Sequence, residues 1–167
     1  MSAGSAEAPH RGPFLPDEPA TLAYAARLAR HLPETPAPLV LYLHGDLGAG
    51  KTTLARGLLH ALGESGPVRS PTYGLVAEYT PAAGRVLHLD LYRLRSPDEL
   101  LTLGLADYLP DSRLWLIEWP EKAGGHGLPA ADAEVYLDVE AGGRRVTLRP
   151  RTAAGEQWVA ACADAGS

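Results

Sequence analysis

Apolar residues recur along this chain with two different spacings, which predicts a protein built from both helices and strands. At residues 17–32 they return every three to four positions, the spacing of one helix face. Residues 52–62 repeat that pattern and stop at Gly63, a residue that readily ends a helix. A short helix is predicted from Ser96 to about residue 103, where serine, proline and glutamate resemble a capping box, and a last one at about 154–163.

Apolar runs of strand length lie between these helices. Residues 38–43 and 114–119 are almost continuously apolar, the pattern of strands that are buried on both faces. Two antiparallel hairpins are predicted as well, each with turn residues between its strands: residues 75–79 with 85–91, and residues 134–140 with 144–149. The combination predicts an α/β fold around a mixed central sheet.

A glycine-rich segment follows the first buried strand and precedes the second helix. Its residues match the Walker A pattern: Gly45-Asp46-Leu47-Gly48-Ala49-Gly50-Lys51-Thr52. Glycines at these positions let the backbone curl around phosphate with several N–H groups pointing inward. An ordinary glycine turn explains the segment poorly, because the flanking strand and helix are those that the motif requires. The segment therefore predicts a three-layer P-loop NTPase fold that binds ATP and magnesium.

Side chains of this loop have separate predicted roles. Lys51 is one of only two lysines among fifteen basic residues, and its compact ammonium suits a point contact between the β- and γ-phosphates. Thr52 supplies a hydroxyl for magnesium, and Thr53 is expected to donate to an inner phosphate. Asp46 and Leu47 are expected to shape the loop rather than to contact charge.

Two acids stand at the ends of predicted strands. Asp90 follows one apolar run and Glu118 follows another. In a P-loop fold such a strand end lies beside the phosphate loop, where a carboxylate holds the metal directly or through water. From the residues alone, either acid could be the Walker B residue. For each, the alternative is a surface acid at a strand end that has no role in the site.

Composition and charge narrow the class of protein. The chain has fifteen basic and twenty acidic residues, a formal net charge of −5, which argues against binding nucleic acid alone. Its single cysteine, Cys162, excludes an internal disulfide and suits a reducing compartment, so we expect a cytoplasmic protein. No apolar stretch is long enough to span a membrane. Residues 1–16 are predicted to be a disordered tail, and residues 17–167 a single domain.

Three further motifs occur in a fixed order: Ser70-Pro71-Thr72-Tyr73, His88-Leu89-Asp90-Leu91-Tyr92-Arg93 and Glu118-Trp119-Pro120-Glu121. Together with the Walker A segment they resemble the TsaE (YjeE) family, bacterial ATPases needed for threonylcarbamoyladenosine modification of tRNA. The resemblance extends over about residues 21–149. It implies that Thr52 and Glu118 hold magnesium, that Asp90 is the essential acid beside the nucleotide, and that Thr72 belongs to a switch-like loop. It also implies an aromatic contact from Trp119.

The same resemblance implies partners. Proteins of the TsaD and TsaB type would act with this ATPase, and tRNA would be met indirectly through that complex. Two other functions remain open: a small-molecule P-loop kinase, and an assembly module in which ATP stabilises a complex. The kinase would need an arginine-rich lid, and arginines are spread along the sequence without an evident cluster or arginine finger. His88 alternates with leucines and is expected to be a hydrogen-bonded sheet residue rather than a metal ligand.

Overall fold

The computed structural model describes residues 8–71 and 73–165. Seven strands of the described residues form one sheet, and they are β1 His10–Leu15, β2 Leu39–His44, β3 Val76–Tyr79, β4 Arg85–Asp90, β5 Ser112–Glu118, β6 Ala133–Glu140 and β7 Gly143–Pro150. The α-helices are α1 Glu18–Ala29, α2 Lys51–Ala61, α3 Asp98–Leu101 and α4 Ala153–Asp164, and two 3₁₀ helices span Leu105–Asp111 and Pro120–Ala123.

The sheet is mixed, as the sequence predicted. Its strand order is β1-β7-β6-β2-β5-β4-β3. The four central strands β6, β2, β5 and β4 are parallel, and they are flanked by antiparallel pairs, β6 with β7, β7 with β1, and β4 with β3. Parallel strands are buried on both faces, which explains why the runs of β2 and β5 are almost continuously apolar. Both predicted hairpins are confirmed.

Helical layers cover both faces of the sheet. Residues of α1, α2 and α4 share one apolar core with the sheet, whereas α3 and the two 3₁₀ helices contribute to a second core on the other face. Helices α1 and α2 pack closely at Gly57 of α2. A Cβ built on this glycine would lie 2.6 Å from the Cβ of Ala25 in α1. In the part of the chain that the structure describes, no helix is long and apolar enough to cross a membrane.

The short predicted helix after Ser96 is confirmed with a smaller extent. Only residues Asp98–Leu101 are α-helical here, and Pro97 at the N-cap makes no side-chain cap bond. The reciprocal contacts are made one residue earlier, by Ser96 with the first turn. The Glu99 carboxylate accepts from the Ser96 backbone N–H at 3.2 Å, and the Ser96 hydroxyl accepts from the Asp98 N–H at 3.3 Å. The capping residues therefore determine where the helix begins.

The prediction of a disordered tail over residues 1–16 is wrong for residues 10–15. These residues form β1, which pairs antiparallel with β7 at the edge of the sheet and has a register irregularity between Arg11 and Phe14. An edge strand tolerates Pro13, and its single buried side chain is Leu15, so the segment lacks the apolar pattern of a strand. Its partner lies more than a hundred residues away in the chain, beyond the reach of local sequence patterns. Residues 1–7 of the predicted tail lie outside the described residues.

This correction predicts that the N-terminal strand stabilises the fold. Deleting residues 1–16 removes the pairing with β7 and the fully packed Leu15 side chain, whose burial is worth about 2–3 kcal/mol. We expect the melting temperature to fall by roughly 5–10 °C, measured by circular dichroism. Deleting only residues 1–7 is the matched control, because it leaves β1 in place. Equal melting temperatures for the 1–16 deletion and the full chain would contradict the strand.

Candidate functional site

The glycine-rich loop joins the carboxyl end of β2 to the amino end of α2, in the strand–loop–helix arrangement that the sequence predicted. Gly48 and Gly50 have φ angles of +83° and +107°, a backbone region that side chains with a Cβ rarely enter. Just before the loop, the His44 ring stacks on Tyr136 with a centroid distance of 4.5 Å and bonds to Glu134 at 3.0 Å. The neighbouring strand β6 therefore fixes the point at which the loop begins.

Lys51, the first residue of α2, folds back over this loop. Its Nζ donates to the carbonyl oxygens of Gly45 and of Asp46, the latter at 3.2 Å. The side chain is buried, and burial lowers the pKa of the ammonium below its usual value, while nearby carboxylates, Glu118 foremost, oppose that shift. A desolvated cation at a helix N-terminus attracts an anion strongly, because little water screens the interaction.

Glu118 is a buried carboxylate at the end of β5, and it connects two elements. It is 2 % exposed. The Thr52 hydroxyl of α2 lies 2.9 Å and 3.2 Å from its two carboxylate oxygens. From the neighbouring strand β4, Nε2 of His88 lies 2.6 Å from Oε2. The prediction that His88 is a hydrogen-bonded sheet residue is therefore confirmed, and its partner is the acid that the sequence singled out.

Asp90 ends β4 directly beside Glu118, because the register pairs these two residues across adjacent parallel strands. It is 5 % exposed. One of its oxygens accepts a hydrogen bond from the Ser70 hydroxyl, and the other accepts from the Tyr92 backbone N–H at 3.0 Å. Asp90 thus connects the segment that contains Ser70 to the same strand ends that carry Glu118.

A cavity of about 610 Å³ brings most of the predicted site residues together. Its walls include Leu47, Gly48, Gly50, Lys51, Thr52, Thr53, Asp90, Glu118 and Trp119. Three loop residues do not line it: Gly45 and Asp46 border a separate smaller cavity, and Ala49 is fully buried beneath the loop. Thr72 lies outside the described residues, so its predicted place in a switch-like loop stays a prediction.

Two arginines of the cavity wall were not expected there from their sequence positions. Arg144 comes from β7, and its guanidinium packs against Gly50 so closely that a Cβ on that glycine would lie 2.4 Å from Nη1. Within the described residues its buried Nε has no hydrogen-bond partner. Arg93 also lines the cavity and packs on the exposed ring of Tyr73, 4.7 Å away. Arg93 ends one of the three further motifs, whereas no local motif marks Arg144, because the sheet brings it to the loop across more than ninety positions of sequence.

An aromatic pair closes one side of the cavity. The Trp119 ring lies 4.1 Å from Lys51 Nζ, measured to its centroid, and the Tyr92 ring lies 5.0 Å from that of Trp119. Trp119 has a left-handed φ of +57°, which is rare for a side chain of this size. Strained backbone of this kind concentrates at functional sites, where the surrounding structure holds it in place.

The position of Trp119 would make its fluorescence report a phosphate that binds beside Lys51. The other two tryptophans, Trp115 and Trp158, are buried in the core. A phosphate that pairs with Lys51 draws the ammonium away from the ring and alters the cation–π contact. We therefore expect tryptophan emission to change on titration with ADP. Trp119→Phe should lose that change while calorimetry still detects binding, and a full signal from this variant would place the ligand elsewhere.

Comparisons with known proteins agree with this geometry. The family profile described as "Threonylcarbamoyl adenosine biosynthesis protein TsaE" matches residues 15–146. The tRNA threonylcarbamoyladenosine biosynthesis protein TsaE of Haemophilus influenzae is 43% identical over 150 residues, which are 89% of this chain and 94% of that protein. The protein of the same name from Rickettsia felis is 43% identical over 127 residues, which are 75% of this chain and 71% of that protein.

The crystal structure of YdiB from Bacillus subtilis superposes with a TM-score of 0.74, at 24% identity and over 96% of each chain, which supports the fold. The match to the family profile and the identity with the Haemophilus protein both extend over most of the chain. The chain therefore belongs to the TsaE family of threonylcarbamoyl adenosine biosynthesis proteins.

Proposed function

We propose that this protein binds ATP with magnesium and hydrolyses it, as the ATPase component of the machinery that makes threonylcarbamoyladenosine in tRNA. The observation that carries the proposal is the convergence of the Walker A loop, Lys51 and two strand-end acids on one cavity. Family membership supports the pathway, since the relatives are named for threonylcarbamoyladenosine biosynthesis.

The cavity suits the phosphates of a nucleotide. Backbone N–H groups at the start of α2 and the positive end of the helix dipole favour a polyanion there. Lys51 is held at the edge of the loop by two carbonyl oxygens, so its charge is already in place before the ligand arrives. Thr53 lines the cavity one residue beyond Thr52 and is available to an inner phosphate. Arg93 and Arg144 add two further cations to the lining of the same cavity.

The side chains beside the loop fit a magnesium ion. Thr52 and Glu118 are hard oxygen donors that already lie within hydrogen-bond distance of each other, and magnesium prefers one or two such protein ligands in addition to phosphate oxygens. Thr52 and Glu118 would hold the ion. When bound, magnesium neutralises negative charge on the β- and γ-phosphate oxygens.

The residues of this chain explain binding better than they explain fast hydrolysis. Lys51 neutralises phosphate charge, and Asp90 ties the Ser70 segment to the strand ends beside the cavity. Rapid turnover also needs a fixed water molecule and a cation at the developing transition-state charge. Arg93 packs on Tyr73 and Arg144 packs against Gly50, so we expect a partner to supply that cation, as in the GTPases whose arginine comes in trans and is worth about 10³ to 10⁵ in rate. We therefore propose slow hydrolysis by the isolated protein.

Partners complete the proposal. The ATPase acts with proteins of the TsaD and TsaB type, and the modifying reaction itself belongs to the TsaD-type partner. A net charge of −5 disfavours direct binding of tRNA, so tRNA is met through the complex. The location is cytoplasmic, where the single thiol stays reduced; burial raises the pKa of Cys162 to about 12, which keeps the thiol protonated and unreactive.

Phosphate release tests the proposed function. It is measured for the protein alone, with TsaD-type and TsaB-type partners, and with partners plus tRNA, using ATP labelled on the γ-phosphoryl group. We expect slow release alone and an increase on the order of 10-fold or more with partners. Lys51→Ala should abolish turnover and weaken ATP binding by roughly 10- to 100-fold, the worth of a hydrogen bond to a charged group.

Other outcomes would select the alternatives. Label that appears on a small-molecule acceptor instead of free phosphate would identify a kinase. A complex that assembles equally well with ATP and with a non-hydrolysable analogue, and functions equally in both, would identify an assembly module. Unchanged binding and turnover in Lys51→Ala would reject the site itself.

Substitutions at the two acids are expected to have different effects, one on ATP binding and the other on turnover. Glu118→Gln removes a charge that touches Thr52, so magnesium-dependent ATP affinity should fall by about 10-fold. Asp90→Asn leaves the Thr52 contact intact, so we expect turnover in the activated complex to fall by about 10-fold or more with little change in binding. Calorimetry and phosphate release measure the two effects. Wild-type rates from both variants would show that neither acid is functional.

A further inference from the structure

His88 is a buried histidine whose one hydrogen bond within the described residues goes to a site residue. Its ring is 0 % exposed in the middle of β4, and its Nε2 lies 2.6 Å from Oε2 of Glu118. When the carboxylate is ionised it only accepts hydrogen bonds, and Nε2 is then the donor. The second ring nitrogen, Nδ1, is buried and has no partner among the described residues.

Burying His88 in the core costs free energy, because one of its ring nitrogens is left without a hydrogen-bond partner among the described residues. Its neighbours in β4, Leu87 and Leu89, are fully buried leucines, and an apolar side chain in its place would leave no unpaired nitrogen behind. What His88 supplies in return is a single strong hydrogen bond to a buried acid. A wholly structural histidine would gain more from a site where both ring nitrogens are satisfied.

Glu118 needs that bond to keep one orientation. Its carboxylate lies between two donors on different elements, the Thr52 hydroxyl of α2 and the His88 ring of β4. Thr52 and Glu118 would hold magnesium together, so the hydrogen bond between them would change when the ion is bound. The His88 contact is to Oε2, whereas the shorter Thr52 contact is to Oε1, so the His88 contact is available to stay fixed through that change.

We propose that His88 is a positioning residue that orients Glu118 for magnesium and thereby sets the magnesium affinity of the nucleotide site. This inference rests on the proposed function, since it concerns the metal that accompanies ATP. Residues that orient a metal-binding carboxylate from outside typically change metal affinity by about 10- to 100-fold when they are replaced. Nucleotide binding without the metal should be independent of His88, because the loop and Lys51 carry it.

Two substitutions of similar size separate the hydrogen bond from the packing. His88→Gln keeps an N–H donor at about the depth of Nε2, whereas His88→Met fills the same space without a donor. Binding of ADP is measured by calorimetry in EDTA and across a series of magnesium concentrations. Trp158→Phe is the matched control for stability: it removes a different buried hydrogen bond, donated to the Leu28 carbonyl at 3.2 Å, and Trp158 does not line the cavity.

We expect His88→Met to raise the magnesium concentration needed for half-saturation by about 10-fold, with ADP affinity in EDTA unchanged. His88→Gln should restore most of the wild-type magnesium response. Trp158→Phe should lower the melting temperature and leave the magnesium response as it is. An unchanged magnesium response in His88→Met, or an equal defect in His88→Gln, would overturn the positioning role.

The outcomes distinguish this inference from the proposed function. If the wild-type protein binds no ADP at any magnesium concentration, both the proposed function and this inference are overturned. If the wild-type protein binds ADP in a magnesium-dependent way and His88→Met has the same magnesium response, only this inference is overturned. If His88→Met does not fold, an NMR measurement on the wild-type protein tests the positioning role instead. The ¹⁵N resonance of His88 should shift when magnesium is added to the ADP complex, and a resonance that magnesium leaves unchanged would overturn the role.

Discussion

The register of three adjacent parallel strands determines where the chemistry of this protein is concentrated. Leu43 of β2, Glu118 of β5 and Asp90 of β4 lie side by side across the sheet. The phosphate loop begins two residues after Leu43, so both acids meet the loop at the carboxyl edge of the sheet. A shift of one residue in either pairing would turn one acid toward the opposite face, because side chains alternate along a strand.

The same edge concentrates buried polar groups that a folded core ordinarily avoids. Lys51, His88, Asp90 and Glu118 are all nearly inaccessible to solvent. Each is accommodated by a specific partner: carbonyl oxygens for the lysine, a hydroxyl and a ring N–H for Glu118, a hydroxyl and a backbone N–H for Asp90. Burial without such partners costs several kcal/mol per charged group, so these contacts fix the side chains in one arrangement. A pre-organised arrangement of this kind is what binding a phosphate and a metal requires.

The sheet also brings to the site residues from distant parts of the chain. β7 carries Arg144 against Gly50, and β1 pairs with β7 at the register position of that arginine, Leu15 opposite Arg144. The N-terminal strand therefore supports the strand that delivers a cation to the phosphate loop. On the other side of the cavity, Trp119 and Tyr92 follow β5 and β4, so the aromatic wall depends on the same parallel pairing as the acids.

The sequence by itself determined most of the elements and the glycine-rich loop, and it predicted the two strand-end acids. It could do so because apolar spacing reports burial locally, and because the Walker A glycines, Lys51 and Thr52 are contiguous. The residues alone left Asp90 and Glu118 equivalent, and only the family resemblance gave them separate roles. The sequence also missed β1 and offered no reason to place Arg144 at the site. Those points depend on pairings between residues that are tens to more than a hundred positions apart. Only the folded sheet decided that Glu118 contacts Thr52, that His88 bonds to Glu118, and that residues 10–15 pair with β7. Hydrogen bonds between distant strands leave no local pattern in sequence.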